Sequence, residues 1–243
     1  MLSRVKRLLA GTPLEGPARH LFALASPVAR KNSRDDDALR ALILSLPDEA
    51  NCVDVGANMG HILGAMVKGC PRGRHVAFEP VPRLAEDLRR RFPDVDVRRQ
   101  AVADAPGRTA FTVVPGRLTR SGISATLVLS IEAAVEEIEA EVTTLDEALP
   151  ADFRPALVKV DVEGGELEVL QGARRVLSGQ QPILALEHQY GRTPAPERTL
   201  AIHDLLDGVG YDVRTMAGLT LDRRRFADVV AARSEWNFLC YPR

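Results

Sequence analysis

Short apolar runs alternate with amphipathic stretches along most of this chain, and the hydrophobic period switches between two and about 3.6 as they alternate. NCVDV (51–55) reads as a strand, and 59–69 as a helix stopped by Gly69 and Pro71. HVAFEP is a second strand, followed by a charged amphipathic helix over 82–91; VDVRRQAV is a third strand. ALVKVDVEG is a fourth, followed by a helix with Leu167, Leu170 and Leu177 on one face. PILALEH is a fifth, a helix covers 197–208, and GYDVRTM and WNFLCYP close the chain as an antiparallel, hairpin-like pair. Strands alternating with helices predict a mostly parallel sheet covered on both faces.

Two stretches depart from this rhythm. Residues 1–46 read as a helical extension, with Asp35 to Asp37 ahead of the amphipathic ALRALILSL and Pro47 ending it; 47–243 form the main domain. Residues 108–145 are an insertion in which RTAFTVV and EAEVTTL are strands flanking a looser segment. A long insertion beside a ligand edge predicts a substrate loop or lid, centred on 115–135.

Composition narrows the picture only a little. Hydrophobic residues at 45% and charged ones at 27% suit a globular domain, and a net charge of −1 supplies no basic field for nucleic acid. Residues 1–31 do carry six basic side chains against Glu15, a pattern that most often marks a solvated helix face. Cys52, Cys70 and Cys240 lie too far apart for a zinc or disulfide framework, which fits a reducing, cytoplasmic setting. No run approaches the roughly 20 apolar residues of a membrane span, and the broken N-terminal hydrophobicity does not suit a secretory signal.

The chemistry gathers at the carboxyl ends of the strands, where ligands sit in open α/β sheets. The loop after the first strand has Gly56 and Gly60 but no third glycine, with Ala57 and Asn58 between them. Asp54 precedes it, an acid that would repel a pyrophosphate and welcome an ammonium or sulfonium. No P-loop pattern occurs. Glu79 stands at the tip of the second strand, about 19 residues past Gly60, near the spacing at which an acid grips both ribose hydroxyls. A ribose, no phosphate and a cationic end describe S-adenosyl-L-methionine.

VDVGANMGHI, AFEPVPRLAEDLRRRF, EVTTLDEAL and LVKVDVEGGELEVLQGA occur in order, and together they resemble the FkbM family of S-adenosylmethionine-dependent methyltransferases. The resemblance runs from about residue 50 to 190. It implies a seven-stranded, mostly parallel, Rossmann-like class I methyltransferase fold, and usually O-methylation of sugar or natural-product hydroxyls. By position it implies that Asp54, Gly56, Ala57, Asn58 and Gly60 form the cofactor loop. Glu79 would be the ribose-binding acid, with Pro80 and Asp161 as further cofactor-binding residues, and Lys159, Asp161, Glu163 and Gly164 match a KxDxEG signature. Asp104, in AVADAPG, is either a turn acid or an adenine contact.

Alternation puts Lys159, Asp161 and Glu163 on one face of their strand and the intervening valines on the other. Charges in a central strand need partners, so Lys159 is expected to neutralise an acid such as Asp161 or Glu187. Glu163 has a second reading as a helix cap. His188 is the only histidine at a strand end on this edge, and it joins Asp161 and Glu187 as a catalytic candidate; His20, His61, His75 and His203 read as surface or packing residues. No metal-ligand spacing supports a metal centre. The acceptor is expected to be a small molecule or glycan, with no nucleic acid partner, and the chain is a candidate homodimer. N-methylation and nicotinamide-dependent oxidoreduction are the rival enzyme readings, and a non-catalytic scaffold is the third.

Overall fold

The structure, a computed structural model, describes residues 27–113, 136–188 and 196–243. The 115–135 segment expected to be a lid lies outside them, as does His20. The chain divides into two compact units, 1–41 and 42–243. The first contributes most of α1 (Pro27–Ser45), which starts well before the ALRALILSL stretch where the helix was expected. The acidic triplet lies inside this helix rather than ahead of it, because Asp35 takes an i,i+4 ion pair from Lys31 at 2.6 Å.

The second unit follows the alternation read from the sequence. In order come β1 (Asn51–Val55), α2 (His61–Gly69), β2 (His75–Phe78), α3 (Pro82–Arg91), β3 (Asp96–Arg98), β4 (Gln100–Val102), β5 (Gly107–Val113) and β6 (Glu136–Thr143). They are followed by α4 (Leu145–Ala148), β7 (Pro155–Val160), α5 (Glu166–Gln171), α6 (Arg174–Gln180), β8 (Ile183–Glu187) and α7 (Pro196–Gly208). The chain ends with β9 (Tyr211–Thr215), β10 (Thr220–Leu221), α8 (Arg223–Ala231) and β11 (Asn237–Pro242). Prolines at the starts of α1, α3 and α7 use the position where a missing N–H costs nothing.

The large sheet has eight strands in the order β10-β9-β11-β8-β7-β1-β2-β3. It is parallel from β3 to β8, and β11 runs antiparallel between β8 and β9. This is the class I methyltransferase type of sheet, with one strand more than the seven expected. The extra strand is β10, whose Thr220 and Leu221 pair with Arg214 and Val213. A two-residue strand inside a connection leaves almost no periodic trace in the sequence. β9 and β11 do pair antiparallel, as expected of the chain's end.

Two further differences come from where hydrogen bonds go. The expected third strand splits, because Asp96–Arg98 bonds to β2 whereas Gln100–Val102 turns away to β6 in a separate three-stranded sheet, β4-β6-β5. The helix expected around Leu167 to Leu177 is two helices. It breaks at Gly172, where a Cβ would come within 2.1 Å of the Ala103 carbonyl oxygen.

Val53, Val55, Val158, Val160, Leu184 and Leu186 of the central strands form one core with Leu170, Leu177, Leu206, Phe226 and Phe238. Cys52 is completely buried, a structural thiol in that strand. Among the described residues, no helix is long and apolar enough to cross a membrane.

Candidate functional site: the β1–β7 switch point

The strand order reverses between β1 and β7: the chain leaves β1 towards β2 and β3, then returns on the other side through β7 and β8. That crevice is where an open α/β sheet holds its ligand. The register aligns Asp54 with Lys159 as cross-strand neighbours. Lys159 Nζ donates to the Gly56 carbonyl at 2.8 Å and lies 3.1 Å from Asp54 Oδ1 and 3.3 Å from Asp161 Oδ2. Burial alone would lower the lysine's pKa, but the two carboxylates outweigh it and hold the ammonium above its ordinary range.

Asp161 was among the partners anticipated for Lys159, and Asp54 was not. Asp54 is fully buried, and neither of its oxygens has a hydrogen-bond partner with good alignment. Burial pushes its pKa up, and the ammonium of Lys159, its nearest charged neighbour, pulls it only part of the way back.

The glycine loop is held shut against the neighbouring strand. Gly56 N–H and Ala57 N–H both donate to the Phe78 carbonyl at 3.0 Å, and Asn58 N–H donates to Glu79 Oε2 at 2.8 Å. Three successive amides are thus already engaged, the very groups a pyrophosphate would need. Gly56 has φ +81°, and a Cβ there would stand 1.9 Å from the Asp161 carbonyl oxygen, so the β1 and β7 ends meet backbone to backbone. Gly60, with φ +74°, precedes α2, and a Cβ there would run into Leu88 and Phe92 of the α3 region.

Glu79 follows β2, beside buried Pro80. It is only 4% exposed, and its Oε1 accepts from Val81 N–H at 2.9 Å. Burial pushes its pKa up to about 7, against the pull of the two amides. Two fixed amides, one on each oxygen, orient the carboxylate and leave each oxygen a second lone pair.

On the far side of the crevice, β7 stops at Val160, so Asp161 to Glu163 form a turn rather than strand. Asp161 keeps a 30% exposed side chain. Glu187 ends β8, and burial together with Asp161 and Glu163 pushes its pKa up to about 9. Its carboxyl is thus held well above the usual carboxylate range by burial and by the neighbouring acids.

His188 is placed differently from what its position at a strand end suggested. It is buried, with Nδ1 3.2 Å from Glu166 Oε2 and Nε2 2.9 Å from Thr199 Oγ1. Both ring nitrogens have protein partners, so neither is offered to an acceptor hydroxyl, and the general-base expectation for His188 is revised on that geometry. Asp104 is exposed in the loop after β4. His75 and His203 bond backbone carbonyls, as packing residues do. Glu166, Arg198 and Thr199 were missed. The one available signal was Glu166, an acid on the apolar side of its helix pattern.

A sheet with this order, with a two-glycine loop and a buried acid at the tip of the neighbouring strand beside its switch point, is of the class I methyltransferase type. The methyltransferase FkbM domain matches residues 54–213, well over half of the chain, and the chain belongs to that family. A solved FkbM methyltransferase from Methylobacillus flagellatus KT superposes with a TM-score of 0.50 at 22% identity, covering 81% of this chain and 44% of that one. The AMB antimetabolite synthetase AmbE of Pseudomonas aeruginosa is 29% identical over 242 residues, covering 80% of this chain. The chain spans 11% of that protein's length.

Proposed function

We propose that this chain is an S-adenosyl-L-methionine-dependent methyltransferase that methylates a hydroxyl group on a sugar, glycan or natural product. The observation that carries the reading is the pairing of Glu79 with a loop whose amides are already engaged. The site offers an oriented carboxylate for a ribose diol, and the amides of Gly56, Ala57 and Asn58 are engaged rather than offered to a pyrophosphate. A nicotinamide dinucleotide would need those amides for its pyrophosphate.

When bound, S-adenosyl-L-methionine supplies an electrophilic methyl group and its own neutral leaving group. The residues of this chain do the remainder. Glu79 accepts hydrogen bonds from the two ribose hydroxyls. Lys159 ties the Gly56 carbonyl to Asp54 and Asp161, so the crevice keeps its width as charge is lost from the ligand. Asp161, half-buried beside Lys159, takes the acceptor's proton. Glu187, at the end of β8 across from Asp161, lines the same edge of the crevice and helps to orient the acceptor. Alignment of two reacting groups in a closed crevice supplies much of the rate enhancement in such transfers.

Calorimetry with S-adenosylhomocysteine and with NADH tests the reading directly. Binding of the first at micromolar concentration, with none of the second, is the expected result. Binding of NADH alone would establish an oxidoreductase, and binding of neither a scaffold.

A further inference from the structure

Behind the acidic turn lies a buried polar cluster that the transfer chemistry leaves unused. Glu163 sits at φ +55° and Gly164 at φ +110°, two consecutive residues in the left-handed region. A glutamate holds that conformation only where its surroundings over-determine it. The surroundings grip the Gly164 peptide from both ends. Its N–H donates to Glu166 Oε1 at 2.7 Å, and its carbonyl accepts from Arg198 Nη2 at 3.0 Å. Arg198 is itself anchored on both oxygens of Glu168, at 2.8 and 2.6 Å. The other oxygen of Glu166 meets His188 Nδ1, and His188 Nε2 meets Thr199, which is wholly buried. The His188 backbone N–H donates to the Trp236 carbonyl at 2.7 Å, and its ring stacks on Phe226 with centroids 6.2 Å apart.

The donor count is consistent throughout. A carboxylate at Glu166 only accepts, so His188 Nδ1 is the donor to it; with a neutral ring, Nε2 accepts from the Thr199 hydroxyl.

We propose that Glu166, His188 and Thr199, with Arg198, are positioning residues that lock the Asp161–Gly165 turn and so set where Asp161 and Glu163 stand beside the acceptor. The purpose of this lock rests on the methyl-transfer reading above; the lock itself does not. Arg198 and Thr199 both belong to the first turn of α7, so the start of that helix is what the acidic turn is fastened to.

The test is made on the full chain by NMR. In the parent, the His188 nitrogens should report a single neutral tautomer protonated at Nδ1. Thr199→Val removes the hydroxyl at nearly constant shape, and it should leave Nδ1 as the protonated nitrogen, shift the Nε2 resonance as its donor is lost, and speed exchange of the Gly164 amide at least tenfold. Thr199→Ser should restore both. Amides of β1 and β7 should exchange at parental rates throughout, which separates a local lock from general loosening. Should Thr199→Val fail to fold, Arg198→Ala, at a side chain 40% exposed, is expected to accelerate Gly164 exchange in the same way. Gly164 exchange within twofold of the parent in the folded variants, or Thr199→Ser behaving like Thr199→Val, overturns the proposal. Calorimetry with S-adenosylhomocysteine on the same samples reports the other reading separately: a parent that does not bind it refutes methyl transfer while the exchange data still judge the lock.

Discussion

Glu79 carries two opposed pH effects. Its pKa in the fold, about 7, lies above the ordinary 4.5, so the native state holds its proton more tightly than the unfolded chain does. Stability from this residue is therefore greatest at low pH and falls as pH rises from about 4.5 to 7, by about 3 kcal/mol at most. Binding of S-adenosylhomocysteine should run the other way. A proton on Glu79 blocks an oxygen that a ribose hydroxyl needs, so affinity should strengthen roughly tenfold between pH 6 and 8. Glu79→Gln should flatten that profile in calorimetry and weaken binding at least tenfold at pH 8, since hydrogen bonds to a charged group contribute roughly 1.5–3 kcal/mol each. A profile unchanged by the substitution would remove Glu79 from the ribose site. Asp161→Asn should leave affinity for S-adenosylhomocysteine within a few fold. Turnover of any acceptor the parent methylates should drop by about 10²–10⁴, the usual cost of a lost general base.

At the scale of elements, the site depends on β1 and β7 ending at the same level, with Gly56 packed onto the Asp161 carbonyl. Gly56→Ala faces both a φ of +81° and a Cβ within 1.9 Å of backbone. Neither strand end can yield without disturbing the Lys159 bridge. A loss of about 3 kcal/mol is expected, lowering the melting temperature by roughly 6–12 °C for a unit of this size. A melting curve within 2 °C of the parent would show that the two strand ends are not tightly coupled. Gly107, where an added Cβ meets nothing within 4 Å, is the internal control and should tolerate alanine.

For the whole molecule, the sheet matters because it brings the ends of β1, β2, β7 and β8 to one crevice from residues more than a hundred positions apart. A ligand that spans this crevice stabilises the main unit as a whole. At about 100 times its dissociation constant, S-adenosylhomocysteine should add about 2.7 kcal/mol, a rise of roughly 5–11 °C in melting temperature, whereas NADH should add none. A shift with NADH and none with S-adenosylhomocysteine would reverse the functional proposal.

Much of this was legible in the chain itself. Local periodicity and punctuation alone placed β1, β2, β7, β8, β9 and β11, because buried parallel strands are continuous apolar runs bounded by turns. The glycine loop, Glu79 and the KVDVEG stretch were likewise local patterns. What the sequence could not decide was partnership across the sheet. Asp54 and Lys159 are 105 positions apart, and only the β1–β7 register makes them neighbours. Periodicity says which face a residue takes but not which strand lies beside it, and β10 was too short to have a period at all. His188 shows the same limit in the opposite direction. Its place at the end of β8 suggested chemistry, yet Glu166 and Thr199 arrive from two other helices and engage both nitrogens. Whether a polar side chain faces ligand or partner is settled by what the fold packs against it, and that depends on contacts between residues far apart in the chain.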